Sequence, residues 1–302
     1  MKSKPLLFII ALVTISNLSF GQEARDKHQM ADRANEYNLN PPPAEIVVPL
    51  SEIANYGSER SNLLYSNGPF ITEEGVGFNG GDVSVVQNTS LGMTTWGFGV
   101  QKGSDRRIAD DFVVDSEWTI ESIKLFGYQT KVFDGISTFT GAYLQIWDGS
   151  PDDPGSNVIW GDLSTNRMTS TSFTNIFRVL ESDDPETANT RAIMEIVCET
   201  PGLVLNPGTY WIDFSLDGSA TSGPWHPPIT IIGQNTTGNA LQYTTSSGWG
   251  AVLDQGSFTP QGATFEIYGP SDPVPVPLSG YTTYLVFIFI VSFLLIRYRR
   301  IF

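Results

Sequence analysis

The sequence predicts an all-β fold, an antiparallel β-sandwich or jelly roll, with an N-terminal signal peptide and one C-terminal transmembrane helix. Between residues 65 and 270, short runs rich in Val, Ile, Tyr, Phe and Trp are separated by clusters of Gly, Pro, Asn, Asp and Ser. This spacing is typical of strands and turns in sandwich folds. No segment sustains a helical period over three turns. Two apolar stretches, one near each end, bracket this β-rich region.

Residues 1–21 have the three parts of a secretory signal. Lys2 and Lys4 give a basic start, residues 5–13 are apolar, and Gly21 follows a short polar segment. The apolar stretch is shorter than the roughly 20 residues that a transmembrane helix needs. We therefore expect residues 1–21 to be removed on export. The sequence therefore predicts a protein that leaves the cytoplasm.

A polar leader, residues 22–64, separates the signal from the β-rich domain at 65–270. Its first part contains few large apolar residues and ends in three prolines, which is typical of a flexible spacer. Segment 44–64 either adds a strand or stays a linker. The clearest strands within the domain are predicted at 113–130, 142–149, 157–162, 209–218, 229–233, 239–245 and 263–269.

The strand predicted at 209–218 shows the two-residue period of a sheet. Tyr210, Ile212, Phe214 and Leu216 should point to one side, and Trp211, Asp213 and Ser215 to the other. The alternation predicts a sheet with one buried face.

The C-terminal segment combines a proline spacer, an apolar run and a basic end. Residues 271–277 include Pro273, Pro275 and Pro277, and residues 278–296 carry no charge. As a helix this run would be about 28 Å long, close to the hydrocarbon thickness of a bilayer. Residues 297–302 follow it, and the positive-inside tendency places their arginines in the cytoplasm. These arginines are Arg297, Arg299 and Arg300.

This arrangement resembles bacterial C-terminal sorting signals of the PEP-CTERM and exosortase type. The resemblance covers residues 273–302 and implies a membrane peptidase that removes the helix and passes the protein to the envelope or an extracellular polymer. The motif matches in part, since Pro277 stands at the family's proline whereas Leu278 and Ser279 replace its Glu and Pro. The processing motif is thus Val276, Pro277, Leu278 and Ser279. A permanent single-pass anchor is the alternative.

Charge and cysteine content restrict the possible partners. The chain has a net charge of −15, and the exported part is more acidic still because Lys2, Lys4 and the C-terminal arginines lie outside it. Such a charge disfavours nucleic acids and anionic lipid surfaces. Cys198 is the single cysteine, so no intrachain disulfide forms, and its alternating surroundings predict a buried position on a strand.

No catalytic residue is assigned. Motifs of metallopeptidases, serine hydrolases and nucleotide-binding loops are missing from the sequence. His226, between Trp225 and two prolines, is the one candidate base in the β-rich region, and we expect it to be packed or hydrogen-bonded. Neighbouring carboxylates such as Asp110 and Asp111 point to opposite faces of a strand, so we predict no enzyme, although remote carboxylates could still form a glycosidase pair.

Two weaker binding hypotheses remain. Asp148, Asp152 and Asp153 lie in one turn-rich loop and offer oxygen ligands for calcium, the one cofactor that the sequence suggests, although such sequences are also ordinary turns. Trp225 and Trp249 stand next to Gly or Pro, and we expect loop positions from which their rings could stack on a sugar.

The domain also resembles a sandwich module of secreted bacterial surface proteins. The segments that carry this resemblance begin at Ala109, Leu205 and Gln261. It implies fold and location, not chemistry. The first hypothesis is therefore an exported, non-enzymatic protein of the cell surface or extracellular matrix with an adhesive or structural role. The second is a surface-tethered protein that binds or acts on carbohydrate.

Overall fold

The structure, a computed structural model, describes residues 62–133 and 135–270, and this part of the chain is all-β. It contains fourteen strands, two short 3-10 turns and no α-helix. The strands are β1 (Asn62–Asn67), β2 (Asp82–Val86), β3 (Phe98–Gly99), β4 (Arg107–Val114), β5 (Trp118–Gly127), β6 (Phe139–Trp147), β7 (Val158–Asp162), β8 (Met168–Leu180), β9 (Ala192–Leu205), β10 (Gly208–Gly218), β11 (Trp225–His226), β12 (Leu241–Thr244), β13 (Gly248–Ala251) and β14 (Phe265–Gly269). The all-β prediction is confirmed.

Two six-stranded sheets make up most of the domain. The first has the order β1-β14-β5-β9-β8-β2, the second has the order β13-β12-β4-β10-β6-β7, and β11 pairs with β3 in a small third sheet. The pairs of the second sheet are antiparallel. In the first sheet β2 pairs with β8 in parallel, with Asp82 opposite Ile176. The prediction of a purely antiparallel arrangement is therefore wrong at this edge, because β2 reaches β8 through a long crossover and not through a hairpin.

One apolar core receives side chains from both large sheets. Ile123, Cys198 and Phe265 enter it from the first sheet, and Phe112 and Phe214 enter it from the second. The rings of Phe112 and Phe265 meet edge to face with centroids 6.1 Å apart, a favourable aromatic geometry. Cys198 is fully buried, and burial raises the pKa of its thiol to about 12. The predicted buried position of this cysteine is confirmed.

Most segments predicted as strands contain one. Residues 229–233 do not, since they lie outside any strand and include a turn at 232–233. The predicted domain start at 65 falls inside β1, which begins at Asn62, so part of segment 44–64 does add a strand.

Strand β10 has the predicted alternation but not the predicted single buried face. Ile212, Phe214 and Leu216 point into the main core. On the opposite side Asp213 and Ser215 are also fully buried. The prediction of one solvated face is therefore wrong, because large side chains of neighbouring strands cover the polar side of β10.

Several predictions fall outside the described residues. They are the signal peptide, most of the leader, the spacer, the membrane helix, the basic end, the processing motif Val276, Pro277, Leu278 and Ser279, and the arginines Arg297, Arg299 and Arg300. Within residues 62–133 and 135–270, no helix has the length and apolarity needed to cross a bilayer.

Candidate functional site

The second sheet carries a group of aromatic and polar side chains on the face that points away from the core. This outer-face cluster lies on five adjacent strands, β13, β12, β4, β10 and β6. It consists of Arg107, Gln145, Trp147, Asp213, Tyr243 and Trp249. Strand register brings them together, since Trp249 lies opposite Tyr243, Tyr243 opposite Arg107, and Asp213 opposite Gln145.

Asp213 is the centre of the cluster. Its side chain is 0% exposed. Gln145 Nε2 donates to Asp213 Oδ2 over 2.8 Å, and the indole N–H of Trp147 donates to the same oxygen over 3.3 Å. Arg107 Nε lies 3.7 Å from Asp213 Oδ1. Burial raises the pKa of Asp213 to about 6, and the nearby guanidinium opposes that rise. One buried carboxylate therefore fixes a tryptophan, an amide and a cation.

Arg107 links this carboxylate to the aromatic rings. Its guanidinium carbon lies 4.0 Å from the ring centroid of Tyr243 and 5.2 Å from that of Trp249. The two rings meet edge to face with centroids 5.4 Å apart. Cation–π contacts of this kind contribute about 0.5–2 kcal/mol each, depending on desolvation. Both rings are held in place and both remain partly exposed.

An apolar group supports the same face. Ala109, Trp211 and Leu241 are buried against each other, and Trp147 and Trp249 pack on them. Trp211 lies opposite Trp147 in the β10–β6 register. Ala109 lies between Asp213 on β10 and Leu241 on β12 in the strand register. Side chains on this outer face of the second sheet therefore pack against each other and are not simply exposed to solvent.

Three buried polar atoms on this face make no hydrogen bond within the described part of the chain. They are Arg107 Nε, Asp213 Oδ1 and Ser215 Oγ. Buried polar groups in folded proteins are nearly always satisfied, so such atoms require an explanation. Arg107 Nε and Asp213 Oδ1 face each other over 3.7 Å, so these two atoms interact as an ion pair that is too long for a hydrogen bond.

The structure separates the two tryptophans singled out from the sequence. Trp225 is on β11, not in a loop, and is 4% exposed in a second apolar cluster with Phe70 and Phe126. Its ring is therefore not available for stacking on a sugar. Trp249 is also on a strand, β13, but it is partly exposed and belongs to the outer-face cluster.

Most of this cluster was not predicted from the sequence. The sequence pattern does not single out Arg107, Gln145 or Trp147, and for Asp213 it predicts only a position on the polar side of β10. The available signal was the shared outward position of Trp147, Trp211 and Asp213 on two predicted strands. Strand order, which brings β6 beside β10, could not be read from that pattern.

The candidate base His226 is 0% exposed. The backbone N–H of Thr264 donates to Nε2 over 2.9 Å, so Nδ1 carries the proton and donates to the Phe126 carbonyl over 2.8 Å. Burial lowers the pKa of His226 to about 4. The expectation of a packed and hydrogen-bonded histidine is confirmed.

The acidic loop between β6 and β7 uses its carboxylates to hold its own turns. Asp148 accepts from the N–H of Asn157 over 2.6 Å, Asp152 accepts from the hydroxyl of Ser150 over 2.6 Å, and Asp153 accepts from the N–H of Gly155 over 2.9 Å. Among the described residues no group of three or more acidic, histidine or cysteine side chains is arranged to hold a metal ion. Calcium binding by this loop stays a prediction.

Comparison with known proteins adds no family to this description. The chain matches no protein-family model, no curated protein and no solved structure.

Proposed function

We propose that the chain is an exported, non-catalytic protein of the cell envelope or extracellular matrix, and that its domain acts as a β-sandwich binding module. The sandwich assignment is supported by two six-stranded sheets that contribute to one core. Export and C-terminal sorting at Val276, Pro277, Leu278 and Ser279 are supported by the sequence pattern alone.

The outer-face cluster is the observation that carries the proposal of a binding role. Partly exposed Trp147, Tyr243 and Trp249 are held by a buried carboxylate and a stacked guanidinium. Aromatic residues with one polar handle are enriched where proteins bind partners. By contrast, His226 and Cys198, the histidine and the cysteine of the described domain, are buried in its interior.

Fractionation of cells that produce the full chain tests this function. We expect the protein in the envelope or matrix, and we expect a chain that lacks residues 273–302 to appear in the medium. A chain with a conservative change in the core, Ile123→Val, is the control for general effects of mutation on secretion. Recovery of the full-length protein in the cytosol with both ends uncut would contradict the proposal.

Carbohydrate binding is the second candidate, and the same cluster favours it. Trp249 keeps the role predicted for it, whereas Trp147 and Tyr243 replace Trp225 as its partners. The ligand would be a surface glycan or a matrix polymer. Carbohydrate-active chemistry has weaker support, because the carboxylate at the centre of the cluster is fully buried.

A further inference from the structure

We propose that the outer-face cluster binds an uncharged polysaccharide chain that lies across the strands, with Trp147, Tyr243 and Trp249 as its stacking surface. This inference rests on the carbohydrate-binding candidate above and adds the site, the charge class of the ligand and its direction on the sheet.

The positions of the rings give the direction and the minimum length. Trp249 is on β13 and Trp147 is on β6, four strand spacings apart in the sheet order. Register also offsets the two rings by four residues along the strands, because they lie on opposite sides of the row that joins Ala109 and Asp213. At about 4.8 Å per spacing and about 3.3 Å per residue, the ends of the site are about 19 Å apart across the strands and about 13 Å apart along them, so the line between them is diagonal. Tyr243 lies beside Trp249 at one end of this line. A single sugar ring covers only a fraction of that length, so the site fits a chain of several rings.

The rings are ordered before any ligand arrives. Trp147 is fixed by its hydrogen bond to Asp213, and Tyr243 and Trp249 are fixed by their contacts with Arg107 and with each other. Ordered side chains lose little rotamer entropy on binding, which favours affinity.

The charges on this face disfavour an acidic ligand. Asp213 and Arg107 pair with each other, and the carboxylates Asp105, Asp111 and Asp217 lie around this pair together with the cation Lys102. The chain as a whole has a net charge of −15. A polymer of uronic acids would be repelled.

The carboxylates around the cluster have partners within the chain. Asn239 donates to Asp111 over 2.8 Å, and Tyr143 donates to Asp217 over 3.1 Å. Asp213 is paired with Arg107 and buried. The partly exposed atoms of the cluster are therefore mainly ring atoms, which suit an uncharged ligand with apolar ring faces and hydroxyl edges.

An extended peptide fits this face less well than a glycan. Peptides that add to a sheet use the free backbone groups of an edge strand. The centre of the cluster lies on β4 and β10, and each of these strands is paired on both sides. Recognition at this centre therefore depends on side chains.

Affinity electrophoresis of the full-length protein in detergent tests the proposal. The gels contain either an uncharged polysaccharide (a β-glucan, a xylan, a mannan or dextran), a polyuronate, or cationic chitosan. We expect at least one uncharged polymer to retard the protein, and Trp249→Ala and Trp147→Ala each to weaken that retardation at least tenfold. Oligosaccharides added as competitors should become more effective with length.

Trp160→Ala is the matched control. Trp160 is on β7 of the same sheet but packs against the main core, and we expect this variant to be retarded like the wild type. Thermal unfolding of each variant shows whether lost retardation reflects lost folding, and Trp249→Tyr, which keeps an aromatic ring, should restore part of it.

Three results would overturn the proposal: no retardation by any uncharged polymer, retardation only by a charged polymer, or retardation that survives both Trp147→Ala and Trp249→Ala. Equal competition by monosaccharides would overturn the cross-strand binding mode. The cell fractionation is independent of these results, so an envelope protein without glycan retardation would refute this inference and leave the proposed location intact.

Discussion

At the scale of single residues, the buried carboxylate of Asp110 joins segments from both sheets. Asp110 is on β4 and is 2% exposed. Its Oδ2 accepts from Asn67 Nδ2 and from the N–H of Ala263, each over 2.8 Å. Asn67 ends β1 and Ala263 precedes β14, two neighbours in the first sheet. One side chain therefore ties the second sheet to the edge of the first.

The stability of the fold should depend on the protonation of Asp110. Burial raises the pKa of Asp110 from 3.8 to about 7. The folded state therefore binds this proton more tightly than the unfolded chain does, and the contribution of Asp110 to stability falls as the pH rises from about 4 to about 7. We expect Asp110→Asn to lower the free energy of unfolding more at pH 5 than at pH 8, and the two losses should differ by an amount on the order of a few kcal/mol.

Urea unfolding of the wild type and Asp110→Asn at both pH values measures this difference. Asp111→Asn, one residue along and on the opposite face of β4, controls for loss of a carboxylate from the strand. An equal cost of Asp110→Asn at the two pH values would show that Asp110 does not change its protonation state in this range.

Cys198 provides a second test at this scale. Its thiol is fully buried in the main core and its pKa is raised to about 12 by burial. Because the thiolate is the reactive species, we expect no reaction of the native protein with a chromogenic disulfide reagent at pH 8. In guanidinium the same reagent should detect one thiol per chain. Rapid labelling of the native protein would contradict the buried position.

At the scale of the elements, Arg178 connects β8 to the parallel strand β2 and to two loops. The side chain is fully buried, and burial lowers its pKa to about 10. Its guanidinium donates to the Trp96 carbonyl over 2.9 Å, to the Ser84 hydroxyl over 2.9 Å and to the Thr230 hydroxyl over 3.0 Å. These bonds hold the loops at residues 95–96 and 228–230 against the edge of the first sheet.

We therefore expect Arg178→Met to destabilise the protein by roughly 2–5 kcal/mol, because several buried groups lose a charged donor. Arg178→Lys should also destabilise it, since one ammonium group cannot replace the planar fork of donors. Urea unfolding measures both effects.

Arg167→Met is the control. It removes a guanidinium stacked on partly exposed Trp160 and should lower the free energy of unfolding by about 1 kcal/mol or less. If Arg178→Met cost no more than this control, Arg178 would not be holding these elements together.

The sequence predicts where strands occur better than it predicts which strands pair and which side chains cover each face of a sheet. Alternation located β10 and the strand of Cys198, β9, because residues on one face of a strand experience one environment. It could not show that the polar face of β10 is covered, since that depends on Trp147 from β6 and Arg107 from β4. Trp225 was misplaced for the same reason. Its glycine and proline neighbours indicated a loop, but pairing of β11 with β3 places its ring in an apolar cluster.

At the scale of the whole molecule, the proposed function gives the two chain ends and the domain separate tasks. The described domain relies on its core without a disulfide, since Cys198 is the single cysteine of the chain. The outer-face cluster belongs to that domain. In the proposed function, location is set instead by residues 1–21 and 273–302, whose sequence pattern we interpret as signals for export and sorting. Changes at the ends should therefore alter where the protein goes and leave its unfolding curve unchanged.

Intact mass spectrometry of the protein from its own cells tests the sorting hypothesis. We expect the mature chain to begin near Gln22 and to end within residues 276–279, because a peptidase that reads the motif would remove the apolar run that follows.

Pro277→Ala should leave residues up to Phe302 in place, since Pro277 is the residue that matches the sorting motif. Pro273→Ala, in the same spacer but outside the motif, should be processed like the wild type. A wild-type chain that retains Phe302 would instead identify residues 278–296 as a permanent anchor, and equal processing of both variants would show that the peptidase does not read Pro277.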